Sequence, residues 1–389
     1  MTTGVSIVIP SWNGRELLKQ FLSSVIAAAS HYGKESQAPT EIVIVDDGSV
    51  DNTAEWLLGQ QFADVTDGEP NAYSPEQAKK PQTVSSVDSV THSSIDQPSP
   101  VLKLIRHQTN LGFGPACNRG FKAARHPLVF LLNNDVDVDV NAIAPLVRNF
   151  TDESVFSVHC RVYDVESGKE CGSGKVGSFS NGFIRVHRSY VNLPASGSGK
   201  GIKSPEQLKR YSIFASGGSA MFDRRAFLGM GGFDGLLAPI YWEDVDISYR
   251  AWKRGLSVLY EPGSVVHHRV SSTMRKVNQR KLARLKQRNR LICHWVNLHD
   301  RTLMTSHFFW VILLALTAPL RLQPGFLLSV GSALMRIRQI RKRRLQEKTA
   351  AKRGDRDVFA IFTSLEQRPD VIAYDDYAEL AAVLSEQPQ

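Results

Sequence analysis

Two short runs, VSIVIP at residues 5–10 and EIVIV at 41–45, constrain this chain most. Each is almost wholly apolar and rich in β-branched residues, the pattern of strands buried on both faces as in parallel sheets. Residues 16–30 between them read as a helix and supply the crossover that parallel strands require. A third strand at 101–106, a helix near 114–124 and a fourth strand at 127–133 continue the alternation. The first half therefore reads as a doubly wound α/β domain, whose ligands sit beyond the carboxyl ends of the strands. At 389 residues, 42% hydrophobic and 22% charged, the chain can bury a large core, which excludes disordered, collagenous and disulfide-stapled classes.

Residues 60–100 change to Ser, Pro, Gln, Asp and Thr without periodicity, too polar to offset ordering entropy, and read as a flexible insertion. Residues 195–204, ASGSGKGIKS, read as a second loop, either a plain surface loop or one that gates substrate. Cys117, Cys160, Cys171 and Cys293 have no metal-binding spacing, which fits a reducing, cytosolic compartment. The first residues run straight into a strand with no charged leader, so no signal peptide is expected.

The net charge of +9 is uneven: residues 275–344 hold 16 basic residues against the single acid Asp300, leaving a mildly acidic remainder. Such a block suits an anionic surface. Within it the strictly apolar run 308–316 is far shorter than the roughly 20 residues of a spanning helix. An interfacial or re-entrant helical pair, held by apolar insertion and by Lys/Arg attraction to anionic lipid, is the favoured expectation. A buried helix pair with a solvated basic face is the other. The apolar run is aliphatic rather than a set of spaced stacking aromatics, so no nucleic-acid partner is expected.

Three places carry candidate chemistry. Asp46 and Asp47 end the second strand in VDDGSVDNT, where an acid can meet a base or ribose, or where the segment can simply cap the next helix. The fourth strand ends in FLLNNDVDVD, with Asn133, Asn134, Asp135, Asp137 and Asp139. Such carboxylates suit a hard divalent cation that also takes phosphate oxygens, or a solvated turn. Neither a P-loop nor the Rossmann glycine spacing is present, so a bound diphosphate would be neutralised mainly by a metal. YWEDVD places Glu243, Asp244 and Asp246 beside Tyr241 and Trp242, as a general base near an aromatic wall or as an acidic first helical turn. His267 and His268 are neighbours on a strand and face opposite sides, so at most one meets the site.

In order, these segments resemble the family 2 glycosyltransferases of GT-A fold, particularly the bacterial rhamnosyltransferase-like branch. The resemblance spans residues 5–273 outside the insertion. It rests on VSIVIPSWNG, IVIVDDGSVDNT, NLGFGPACNRGF, LLNNDVDV, SGGSAMFDRRAF with GGFDGLL, YWEDVDISYRAWKRG and YEPGSVVHHRVSST. It implies a mostly parallel sheet flanked by helices, forming a catalytic domain over 1–274. A helical membrane-associating segment over 275–345 and a tail over 346–389 would follow.

The resemblance further implies inverting transfer from a nucleoside-diphosphate sugar, dTDP-rhamnose or a UDP-sugar, to an acceptor hydroxyl with Mg²⁺ or Mn²⁺. Pro10, Ser11, Trp12, Asp46, Asp47, Asn110, Gly112 and Asn134 would line the nucleotide. Asp135 would be the firm metal ligand, with Asp137, His268 and, as fallback, His267 beside it, and Asn133 departing from the family's first Asp. Asp244 would be the base and Glu243 would orient the acceptor, with Gly217, Gly218 and Trp242 on the acceptor side. The QxxRW motif of processive synthases is absent, which points to single addition onto a lipid-linked or cell-envelope glycan by a cytoplasmic protein held peripherally at the inner face of the membrane. The rival reading is a non-catalytic nucleotide-sugar-binding scaffold at the membrane surface. Asp135, Asp244 and a suitably placed His count against it.

Overall fold

The computed structural model describes residues 3–65, 99–192, 209–269, 278–320 and 324–374. The first half runs β1 (Val5–Ser11), α1 (Arg15–Ser36), β2 (Thr40–Asp46), α2 (Thr53–Gly59), β3 (Ala63–Asp64), β4 (Val101–Arg106), α3 (Phe113–Ala123) and β5 (Leu128–Leu132). Then come β6 (Val136–Val138), α4 (Ile143–Arg148), β7 (Val155–Asp164), β8 (Glu170–Gly172), β9 (Gly174–Ser180) and β10 (Phe183–Asn192). The chain continues with β11 (Ser219–Asp223), α5 (Arg224–Gly229), α6 (Glu243–Lys253) and β12 (Ser257–His268). It closes with α7 (Gln279–Asn297), α8 (Arg301–Thr317), α9 (Pro324–Leu334), α10 (Ile337–Ala350), α11 (Asp355–Glu366) and β13 (Val371–Tyr374).

The main sheet has the order β3-β4-β2-β1-β5-β11-β7-β12-β6, with β8 paired to β7. β3, β4, β2, β1 and β5 are mutually parallel, as the apolar runs require, and direction first reverses at β11. Alternate residues feed two cores. Val8, Val43, Val45 and Leu131 pack with Phe121 and Phe222 on one side. Ile7, Ile9, Ile42 and Ile44 pack with Leu18, Leu22 and Val25 of α1 on the other. Burial on both faces is why these strands read as continuous apolar runs instead of alternating ones.

Of the insertion expected over 60–100, residues 66–98 lie outside the described residues, as does the loop expected over 195–204. Residues 346–374 are part of the body: α11 buries Val358, Phe362 and Leu365 in the main core. Asp355 at its start accepts from Tyr249 Oη at 2.8 Å, from Lys253, and from the backbone amides of His299 and Asp300. β13 pairs with β10 to complete a second sheet, β13-β10-β9. Residues 375–389 are outside the described residues. α7, which follows the boundary expected at 274, buries Leu291 to Asn297 and packs against α6. α8 and α9 leave large apolar side chains exposed, Phe309 at 61%, Leu316 at 71% and Leu328 at 57%. No helix among the described residues is long and apolar enough to cross a membrane.

Candidate active site

The carboxyl ends of β1, β2 and β5 meet the end of β12 and the start of α6. Ser11 is in register with Asp46, and Asn134 Nδ2 donates to Ser11 Oγ at 2.9 Å, tying the end of β5 to that of β1. Trp12, just beyond, is 45% exposed. Asn13 accepts from Val50 N through its side chain and donates its own amide to Ser49 Oγ, both at 2.8 Å, so the loops after β1 and β2 are laced together.

The two aspartates after β2 differ in use. Asp47 is consumed by its own fold: Oδ1 takes Leu111 N at 3.0 Å and lies 2.7 Å from His107 Nδ1, while Oδ2 takes Gly112 N at 2.8 Å. It is a positioning residue for the loop carrying Asn110 and Gly112. Gly112, at φ +100°, lies so close to Pro239 that a Cβ would meet it at 2.7 Å, so its role is close packing. Asp46 takes Ser49 N at 3.2 Å, and burial raises its pKa.

The centre is the pair Asp135 and His268. Asp135 Oδ1 lies 3.0 Å from His268 Nε2, with Asn133 Nδ2 3.5 Å from the same ring nitrogen. Two ligands held about 2.1 Å from an octahedral ion at right angles stand about 3.0 Å apart, so this pair fits two adjacent positions on Mg²⁺ or Mn²⁺. Phosphate oxygens would have to supply most of the remainder, since no group of three or more His, Cys, Asp or Glu is assembled for a metal among the described residues.

Asp137 and His267, the other two expected ligands, lie apart from that pair in the ladder. They face each other across the antiparallel β6–β12 ladder, whereas His268 is in register with Val136. Directly opposed residues share one sheet face and their neighbours take the other. Asp137 is therefore exposed on the face of His267, whose ring stacks on Tyr163 at 5.7 Å.

Asn133 links the Asp135–His268 pair to the carboxylates. A Cβ on Gly218 would lie 2.4 Å from Asn133 Nδ2, so only glycine lets this backbone pass. The backbone amide of the adjoining Gly217 favours the ionised form of Asp244, and Val245 N donates to Asp244 Oδ1 at 2.8 Å. Desolvation raises the pKa of Asp244. Glu243 is buried, its Oε2 has no hydrogen-bond partner, and burial followed by the charge of Asp244 pushes its pKa up to about 8. Burial thus disfavours charge on both carboxyls, and the backbone amides around Asp244 oppose that effect there.

The backbone entering α6 is strained: Tyr241 and Trp242 have φ of +76° and +75°. Sequence reasoning missed what holds them there. Asn289 of α7, wholly buried, aims Nδ2 at the carbonyls of Leu237, Ile240 and Tyr241, the last at 2.9 Å. Lys286 lies 4.2 Å above the Tyr241 ring. Trp242 turns toward α7, its ring 5.8 Å from His294, instead of offering an open stacking face. Asp246 is structural, its carboxylate held by Arg250 Nε and Asn297 Nδ2 at 2.7 and 2.6 Å. The only hint in the sequence was the polar Asn289 inside a stretch otherwise read as membrane-facing.

A mostly parallel sheet with this cluster at its carboxyl edge defines a nucleotide-sugar transferase of GT-A type. The family described as "Glycosyl transferase family group 2" matches residues 128–339, and "Glycosyl transferase family 2" matches 6–66. The chain belongs to the family 2 glycosyltransferases. It is 24% identical over 260 residues to "Poly-beta-1,6-N-acetyl-D-glucosamine synthase" of Staphylococcus aureus, covering 67% of this chain and 48% of that protein. The chain therefore spans about half the length of the curated relatives it matches. The solved structure of "GalNAc-T7 with UDP, GalNAc and Mn2+" superposes with a TM-score of 0.51 at 19% identity, over 77% of this chain and 49% of that one, a likeness of fold. The mannosyltransferase of Pyrobaculum calidifontis in complex with GDP-Man and Mn2+ is similar at a TM-score of 0.46 and 14% identity, over 95% and 89%.

Proposed function

We propose that this protein is an inverting, metal-dependent glycosyltransferase that moves a hexosyl group from dTDP-rhamnose or a UDP-sugar to a hydroxyl of a lipid-linked or cell-envelope glycan. The observation that carries the reading is the continuous arrangement from the Asp135–His268 pair through Asn133 and Gly218 to Gly217 and Asp244. The nucleoside lies against Pro10, Ser11, Trp12 and Asp46, and Asn134 holds that wall to the end of β5. Asp135 and His268 would hold Mg²⁺ or Mn²⁺, which when bound neutralises charge on the departing diphosphate. Asp244 accepts the proton of the acceptor hydroxyl as that oxygen bonds to the anomeric carbon and the diphosphate leaves from the opposite face. Glu243, still protonated, puts no second negative charge beside the base.

The exposed apolar face of α8 and α9 supports peripheral attachment to the inner face of the membrane. Phe309, Ile312 and Leu316 lie on one side of α8, while Arg341 and Lys342 of the neighbouring basic helix are exposed. Apolar insertion together with attraction to anionic lipid is the physical basis of such binding.

Slow hydrolysis of the donor by water tests the stereochemistry without knowledge of the acceptor. With an α-linked UDP-sugar and Mn²⁺, proton NMR at early times should show the β-anomer of the free sugar forming first. Initial release of the α-anomer would contradict inversion.

A further inference from the structure

A cavity of about 260 Å³ adjoins the proposed site. Asn133, Gly218 and His268 line it from the metal pair, and His159, Ser173 and Lys175 line it from β7 to β9. The transfer chemistry leaves those last three without a task.

His159 is 2% exposed, and its Nδ1 lies 3.2 Å from the Cys160 carbonyl oxygen. A carbonyl can only accept, so Nδ1 carries the proton and Nε2 presents a bare lone pair. That Nε2 is shielded from solvent and has no hydrogen-bond partner among the described residues. His159 therefore lines the cavity as a neutral ring. Lys175 Nζ donates to Ser189 Oγ at 2.6 Å and has no carboxylate within ion-pair reach among the described residues. Two of its three N–H groups remain. The nearby Glu170 is opposed by Arg161 at 3.6 Å, so these three charges leave an excess of one positive. Phe214 supplies an apolar wall.

We propose that this cavity binds a glycosyl unit bearing an anionic substituent, a carboxylate or phosphate ester held by Lys175. The inference rests on the glycosyl-transfer reading and adds substrate class to it. The unit belongs either to the acceptor or to the sugar of the donor, and both sources present the same chemistry to the cavity.

The test is ligand-observed NMR titration of the full chain with methyl β-glucuronoside, glucose 6-phosphate and methyl β-glucoside. At least one anionic probe should bind about tenfold or more tighter than the neutral glucoside, the size of one charge-assisted hydrogen bond. Lys175→Met should abolish that preference and Lys175→Arg should keep it. Lys175→Gln serves if the Met variant does not fold. Equal binding of all three probes, or a preference that survives loss of the charge, overturns the proposal. Displacement of the anionic probe by UDP-glucuronate identifies the donor's sugar as occupant, while simultaneous binding with UDP-glucuronate identifies the acceptor's. UDP binding to the native protein is followed separately: its absence, with the probe preference and its dependence on Lys175 intact, would count against the transfer reading alone.

Discussion

Asn289 Nδ2 lies 2.9 Å from the carbonyl oxygen of Tyr241, and through this contact a helix outside the expected catalytic domain holds the strained turn that presents Asp244. Left-handed conformations at two successive bulky residues persist only when their surroundings over-determine them. Asn289→Leu removes both N–H groups and leaves up to three carbonyls unpaired. The expected cost is roughly 1–3 kcal/mol, read as a drop of several degrees in Tm, with kcat falling at least tenfold and donor affinity nearly unchanged. Unchanged kcat in a folded variant would show that the turn does not depend on α7.

Asp244→Asn should lower kcat by about 10² to 10⁴, the usual contribution of a general base, while nucleotide-sugar binding stays near that of the native protein. Steady-state rates beside calorimetric titration separate the two, and near-native turnover would remove Asp244 from that role.

Glu243→Gln replaces a carboxyl that keeps its proton up to about pH 8 with a neutral isostere. Activity at pH 7 should stay within a few-fold of native, and the change in rate near pH 8 should vanish from the profile. A loss at pH 7 as large as that of Asp244→Asn would mean that Glu243 acts as an anion.

Burial holds the pKa of His307 at about 4 and that of His159 at about 3. Below about pH 6.5 the unfolded chain binds protons that these folded histidines refuse, so their contribution to stability is present at neutral pH and declines as pH falls. Glu243, with its pKa raised, has the opposite sign, so the test is a difference. His307 ties α8 to the β9–β10 hairpin, with Nδ1 2.7 Å from Gly182 O and Nε2 accepting from Trp295. In His307→Gln the fall in unfolding free energy between pH 6.5 and 4.5 should be shallower by roughly 1.4 kcal/mol per pH unit. Parallel curves in urea titrations would contradict the assignment.

Membrane attachment through α8 is tested by substitution, because removing the whole basic segment would also remove α7 and its support of Tyr241. Phe309→Asp together with Leu316→Asp changes two exposed residues, so Tm should hold while flotation with anionic liposomes falls at least fivefold. Native flotation should weaken with salt, since surface attraction is screened within about 10 Å at 0.1 M. Flotation unchanged by the double substitution would contradict the surface.

The parallel half of the sheet was legible because buried parallel strands leave unbroken apolar runs, as at Ile7, Val8 and Ile9. The placement of His268 apart from His267 followed from strand alternation alone. Two things were not legible. Local pattern could not show that Asn289 answers carbonyls some fifty positions earlier, because such a contact has no periodicity. Nor could it show that basic residues of α10 pair inward, as Arg343 does with Asp234 at 2.8 Å, so charge count overstated the membrane-facing segment. Asp47 likewise reads as a ligand-facing acid, but its oxygens are filled by amides more than sixty residues away.

The most direct measurement is thermal stabilisation of the native protein and of Asp135→Ala by UDP-, dTDP- and GDP-sugars, each with Mn²⁺, with Mg²⁺ and with chelator. The account predicts that one donor raises the Tm of the native protein only with metal, and that Asp135→Ala loses this response while keeping its own unliganded Tm. No stabilisation by any donor, or stabilisation untouched by chelator and by Asp135→Ala, would contradict it.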